Sequence, residues 1–182
     1  QKFEAINDYL AEILKDKTKE IIIIKEKITP NETLRLFQGN NVMDTLGHSF
    51  ERYDGGVPVP LYNSKEFLKM KKKYEDTVSS INLRYLSNNR WNPEDFKYNK
   101  IVFENWEDVY LKMQKASYPR KPEIQIFAFS EPIYYKGKKY LVVTVSQGDT
   151  NSSGLPNTFV IVMKKIKRKW VVINETGDYI MN

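Results

Sequence analysis

Between Glu123 and Thr176 the chain sets apolar, β-branched and aromatic runs of five to eight residues between short polar turns. That alternation is the strongest constraint the sequence carries, because it specifies strands and the order in which they pair. Four strands are predicted: Ile124–Ser130, Tyr140–Ser146, Phe159–Ile166 and Trp170–Asn174. Gly137, inside Tyr134-Tyr135-Lys136-Gly137-Lys138-Lys139-Tyr140, supplies the freedom in φ that a tight connection requires. Lys167-Arg168-Lys169 is short enough to close a hairpin. Leu141, Val143 and Val145 alternate with Val142 and Thr144, so the second strand is apolar on both sides and is expected inside a sheet covered on both faces.

A meander built from these strands puts its first and third connections at one end and its second at the other. Lys136, Lys138, Lys139, Lys165, Lys167, Arg168 and Lys169 then gather at one end with Tyr134, Tyr135 and Trp170, while Asp149, Glu175 and Asp178 fall toward the opposite end.

The 122 residues before the sheet read mainly as helices and loops within one domain of 182 residues. Phe3, Ile6, Leu10, Ile13 and Leu14 recur at helical spacing, which predicts an amphipathic helix over residues 2 to 16 lying on the sheet. Glu20 to Ile28 is isoleucine-rich and predicts a strand that joins the sheet or pairs at its edge. Thr29-Pro30-Asn31-Glu32 carries a cap, a proline at the first helical position and an acid three residues after the cap, so a short helix follows. Ser64 opens a helix to about Thr77, with Phe67, Met70 and Tyr74 on one face and Lys69, Lys71, Lys72 and Lys73 on the other. Ile81–Leu86 has strand character, Asn92-Pro93 starts a short helix, and Asn105 caps one carrying Trp106, Val109, Tyr110 and Met113. Residues 39 to 63 hold six glycines and prolines with the single histidine, His48, and are read as a candidate lid.

Motifs for nucleotide binding, serine hydrolysis and zinc proteolysis are missing from the sequence. The absence of cysteine removes disulfides, thiolate metal sites and cysteine nucleophiles. Its longest apolar run, Ile21–Ile24, falls far short of the roughly 20 residues that span a bilayer, so no transmembrane segment is expected. Proton transfer would fall to His48 with Asp44 or Asp54, the acids near it in sequence. Asp149-Thr150-Asn151-Ser152-Ser153-Gly154 opens like a calcium loop, with Asp149, Asn151 and Ser153 as its ligands, but Val160 stands where the bidentate glutamate belongs. No cofactor is expected. Tyr134, Tyr135, Tyr140 and Trp170 among Lys138, Lys139, Lys167 and Arg168 form a binding candidate, charge combined with stacking surfaces for a single nucleic-acid strand. Against nucleic acid stands the composition of the net charge of +6, since 23 lysines accompany only 6 arginines and arginine is the residue suited to bidentate phosphate and base contacts.

Phe129-Ser130-Glu131-Pro132-Ile133-Tyr134, followed by Lys138-Lys139-Tyr140-Leu141-Val142, resembles a recurring segment of secreted or lipoprotein-type proteins of Bacteroidetes whose function is uncharacterised. In those, an entry of the form S-x-P-I-F precedes an apolar strand, a glycine-containing loop and a closing K-x-x-G-K-W-x-V hairpin. Lys164 to Val172 is the closing element here. The likeness covers about the last third of the chain and departs in the middle loop, where relatives often carry cysteines. It implies an extracytoplasmic protein, periplasmic, outer-membrane or secreted, with a lipid anchor placed upstream of Gln1. Helices packed into a curved antiparallel sheet, with a last strand opening on a tryptophan such as Trp170, also resemble the NTF2-like cone fold.

The sequence therefore predicts an α+β domain, N-terminal helices packed on an antiparallel meander of four to six strands. Its expected role is non-enzymatic binding of a protein or small-molecule ligand through the concave sheet face or residues 39 to 60. The alternatives are a small-molecule enzyme using His48 and a nucleic-acid binder using the lysine-rich end.

Overall fold

Four successive isoleucines form β1 (Ile21–Ile24), all of them buried, and the chain places them in the interior of the main sheet. The structure, a computed structural model, describes residues 2–14, 16, 18–39, 61–76, 85–115, 123–151 and 157–177. β1 runs parallel to two neighbours, pairing Ile23 with Phe103 of β4 (Ile101–Glu104) on one side and with Phe127 of β5 (Gln125–Phe129) on the other. From β5 onward the sheet is antiparallel, through β7 (Tyr140–Asp149), β8 (Asn157–Ile166) and β9 (Lys169–Gly177), with the short β6 (Ile133–Tyr135) also paired to β7. Among the described residues this is a mixed sheet of seven strands. A second, two-stranded sheet pairs β2 (Glu26–Ile28) with β3 (Leu86–Arg90).

Because β1 is apolar on both faces, both faces must be covered. α1 (Lys2–Ile13) lies on one face, burying Ile6, Tyr9 and Leu10 against Phe127, Phe129, Val143 and Ile161. The opposite face is covered in two parts. α2 (Pro30–Gln38) and α3 (Ser64–Tyr74) place Leu34, Phe37, Phe67 and Met70 over Tyr140, Val142, Val160 and Val162. α4 (Trp106–Lys115) covers Ile22, Ile24, Ile126 and Ala128 with Val109. Where α2 meets the sheet, the Thr144 hydroxyl donates to that of Thr33 at 2.8 Å, and both are fully buried. Capping follows the expected chemistry: Thr29 Oγ1 accepts from the Glu32 N–H, and Asn63 Oδ1 from the Glu66 N–H. A bulge in β9 between Val172 and Asn174 reverses its alternation, turning Asn174 and Thr176 inward.

The α+β class and the C-terminal meander agree with the sequence reading. Two features differ. The sheet is mixed, because β1 and β4 enter it parallel; the strand expected over Glu20–Ile28 is present as β1 inside the main sheet and β2 in the second sheet. Tyr134 and Tyr135 are in β6 and not in a connection. Of the strand expected at Ile81–Leu86, residues 81 to 84 lie outside the described residues, and Leu86 opens β3. The proposed lid over 39 to 63 also lies outside the described residues from 40 to 60.

Removing the Ile23 side chain, which is 0% exposed between two paired strands, is expected to cost about 3 to 4 kcal/mol. Leu68→Ala, at a position 62% exposed, should change stability by no more than about 0.5 kcal/mol. Urea midpoints of the two variants measure the contrast.

Candidate functional site

The end of the sheet predicted to be basic is built from two adjacent turns. Lys136 to Lys139 join β6 to β7, and Lys136, Gly137 and Lys138 have φ of 47°, 63° and 80°. β8 and β9 are joined by Lys167 and Arg168 alone, at φ of 46° and 71°, between the paired Ile166 and Lys169. Positive φ at both central residues is the type I′ hairpin geometry, which matches the twist of the strands and which Asn-Gly adopts with least strain. Tyr140 pairs with Lys164 and Trp170 with Lys165, so the two turns leave the sheet at the same end. Lys138, Lys139, Lys167, Arg168 and Lys169 are exposed. Among the described residues none of the five is paired with a carboxylate; the nearby acids are committed, Glu4 to Lys165 at 3.4 Å and Glu131 to Lys2 at 3.0 Å. Asp149 and Glu175 lie at the opposite end, opposite Gln125 and Ile161.

The aromatic side chains expected among these cations do not form a stacking platform. Tyr135 and Tyr140 turn inward beneath α2 and α3 and are 1% and 0% exposed. The Tyr135 hydroxyl accepts from the Asn63 N–H at 2.8 Å and donates to the Leu61 carbonyl at 3.1 Å, and burial pushes its pKa up to about 12. Trp170 is buried on the α1 side, where its backbone N–H donates to Asp8 Oδ2 at 2.8 Å and ties β9 to α1. Strand alternation accounts for this correction, since a ring on an inward position packs in the core whatever charges flank it in sequence.

Tyr134 does reach the surface, and it connects groups far apart in the chain. The ammonium groups of Lys2 and Lys138 each lie 5.8 Å from the centre of its ring. Lys2 is also 5.8 Å from the ring of Tyr74, at the end of α3, which takes Lys73 at 5.0 Å. The Tyr74 hydroxyl accepts from the Tyr134 N–H at 3.3 Å. Lys73, Tyr74, Lys2, Tyr134 and Lys138 thus form an unbroken series of cation–π contacts, a geometry that tolerates close cations because each faces the negative quadrupole of a ring. Glu131 lies beneath it, 3.0 Å from Lys2 and 3.6 Å from Lys27. No short-range sequence signal marks this series. Its one visible component was the lysine run of α3, which the helical pattern assigns simply to a solvated face.

A polar groove of about 650 Å³ beside α1 is lined by Glu4 and Asp8 of that helix and by Lys97, Lys165 and Arg168. Of the calcium-loop residues, Asp149 accepts from the Asn151 N–H at 2.7 Å, which closes a local turn, and Val160 is buried in β8. Ser153 lies outside the described residues, and no cluster of three acidic or histidine side chains able to hold a metal occurs among those described. His48, Asp44 and Asp54 also lie outside them. Among the described residues no helix is long and apolar enough to cross a membrane. No protein-family model matches the chain, and no curated protein or solved structure matches it.

For Glu131, burial raises the carboxyl pKa, but the hydrogen bond and charge of Lys2, with Lys27 adding to them, outweigh it and hold the group below its ordinary value of 4.5. A depressed folded-state pKa means that this stabilisation is complete above the unfolded value and is lost as pH falls through the folded one. Glu131→Gln should therefore lose stability near neutral pH and show a flatter decline than the parent chain as pH falls below about 4.5. Thermal melts across that range check it.

Proposed function

We propose that this chain is a non-enzymatic extracytoplasmic binding or accessory protein that engages an anionic partner with the cationic end of its sheet. One observation carries the reading. Of the five non-glycine residues with positive φ among those described, four are lysine or arginine in the two turns at this end: Lys136, Lys138, Lys167 and Arg168. Each costs of order 1 kcal/mol relative to a residue suited to that conformation. Lysines that serve only solubility require no such geometry. Strain held at exposed cations, as at Lys138, Lys167 and Arg168, is expected where the charge itself is used.

The covered faces of the sheet favour the same surface. Helices pack on both, α1 on one and α2, α3 and α4 on the other, which weighs against a sheet face as the ligand site. Extracytoplasmic placement rests on the resemblance of Phe127–Tyr140 and Lys164–Val172 to exported proteins of Bacteroidetes. Recognition of nucleic-acid bases is disfavoured, because three of the four rings that would stack are in the core.

The test replaces Lys167-Arg168 by Asn-Gly. The double variant is expected to be more stable by about 1 to 2 kcal/mol and to elute from immobilised heparin, a generic polyanion, at lower salt than the parent chain. Greater stability with unchanged elution would remove the functional reading of this hairpin.

A further inference from the structure

We infer that the cationic sheet end and the outer face of α3 form one continuous surface, and that this surface docks on an anionic lipid bilayer with Leu68 entering the headgroup region. The inference rests on the anion-binding reading above and names the class of partner.

Three observations carry it. The first is continuity. The series Lys73, Tyr74, Lys2, Tyr134, Lys138 joins the last turn of α3 to the β6–β7 turn through contacts of 5.0 to 5.8 Å, which brings together two lysine clusters more than 60 residues apart in sequence. The second is the pattern on α3. Phe67 and Met70 are buried, while Lys65, Leu68, Lys69 and Lys72, at i, i+3, i+4 and i+7, share the exposed side of the helix. Leu68 is 62% exposed. A large apolar side chain held outward within a stripe of lysines matches the interfacial mode of membrane binding, in which apolar insertion adds to attraction by anionic headgroups.

The third is the chemistry of the cations. Apart from Arg168 the surface is lysine, whose ammonium is a point charge without the planar fork that favours bidentate contact with a single phosphate. Tyr74 and Tyr134 already face ammonium groups, and Tyr135, Tyr140 and Trp170 are buried, which leaves no open ring here for a base or a sugar. Diffuse headgroup charge asks for neither a fork nor a ring, and each lysine near such a surface strengthens binding about fivefold.

The full chain should sediment with vesicles of phosphatidylcholine containing about 30% phosphatidylglycerol, not with phosphatidylcholine alone, and should be released by salt. K72E/K73E on α3 and K138E/K139E on the turn should each weaken vesicle binding at least about 20-fold while the protein still melts cooperatively, with only the small shift that loss of exposed cation–π contacts brings. Leu68→Ala should weaken it several-fold at every salt concentration. Retention on heparin without sedimentation with anionic vesicles overturns the membrane assignment alone, and so does K72E/K73E binding vesicles like the parent chain. Failure to bind both heparin and vesicles overturns the anion-binding reading as well.

Discussion

A strand of four isoleucines with no polar face cannot rest at the edge of a sheet or expose either side to water, and the architecture follows from burying Ile21–Ile24. Its two neighbours, β4 and β5, run parallel to it. Parallel neighbours require crossover connections, and crossovers bring helices onto the faces. α1 takes one face and α2, α3 and α4 the other. With both faces covered by packed side chains, the sheet exposes its ends, and the helices their outward sides, among the described residues.

The two ends are unlike in charge and in backbone strain. At one, the β6–β7 and β8–β9 turns hold lysine and arginine in left-handed conformations that glycine or asparagine would adopt at lower cost. At the other, Asp149 is engaged in its own turn, and the β9 bulge brings Glu175 onto the face occupied by Tyr9. Burial first, and then the Glu175 and Glu12 charges, raise the pKa of that tyrosine and keep it neutral. The acidic end is thus organised around local structure, whereas the basic end carries exposed charge. The backbone strain of its turns and its exposed charge belong to the same residues.

Much of the fold was legible in the sequence because it depends on periodicity and on caps. The alternation in Tyr140–Ser146 specified a doubly covered interior strand, and Thr29-Pro30 specified the start of α2. Segregation of lysines to one end followed from a consecutive meander. β4 was hidden because its four residues lie between two helix-initiating signals, Asn92-Pro93 and Asn105, and too few alternations remain to reveal a strand. β6 was hidden because its three residues run into a glycine turn. The orientation of Tyr135 and Trp170 depended on which face each strand buries, and that is settled by α1 and α3 docking from elsewhere in the chain. The Lys2–Tyr134 and Lys2–Tyr74 contacts exist only because α1, α3 and β6 converge, so no local pattern announces them.

Amide hydrogen exchange of the full chain, free and with anionic vesicles, tests most directly whether the molecule engages its partner end-on with its sheet faces closed. The account predicts that β1 and the centre of β7 exchange slowest in both states, and that added protection is confined to α3 and the turns at 136–139 and 167–169. Faster exchange in β1 or β7 on binding, or new protection across α1 with none at the turns, would contradict it.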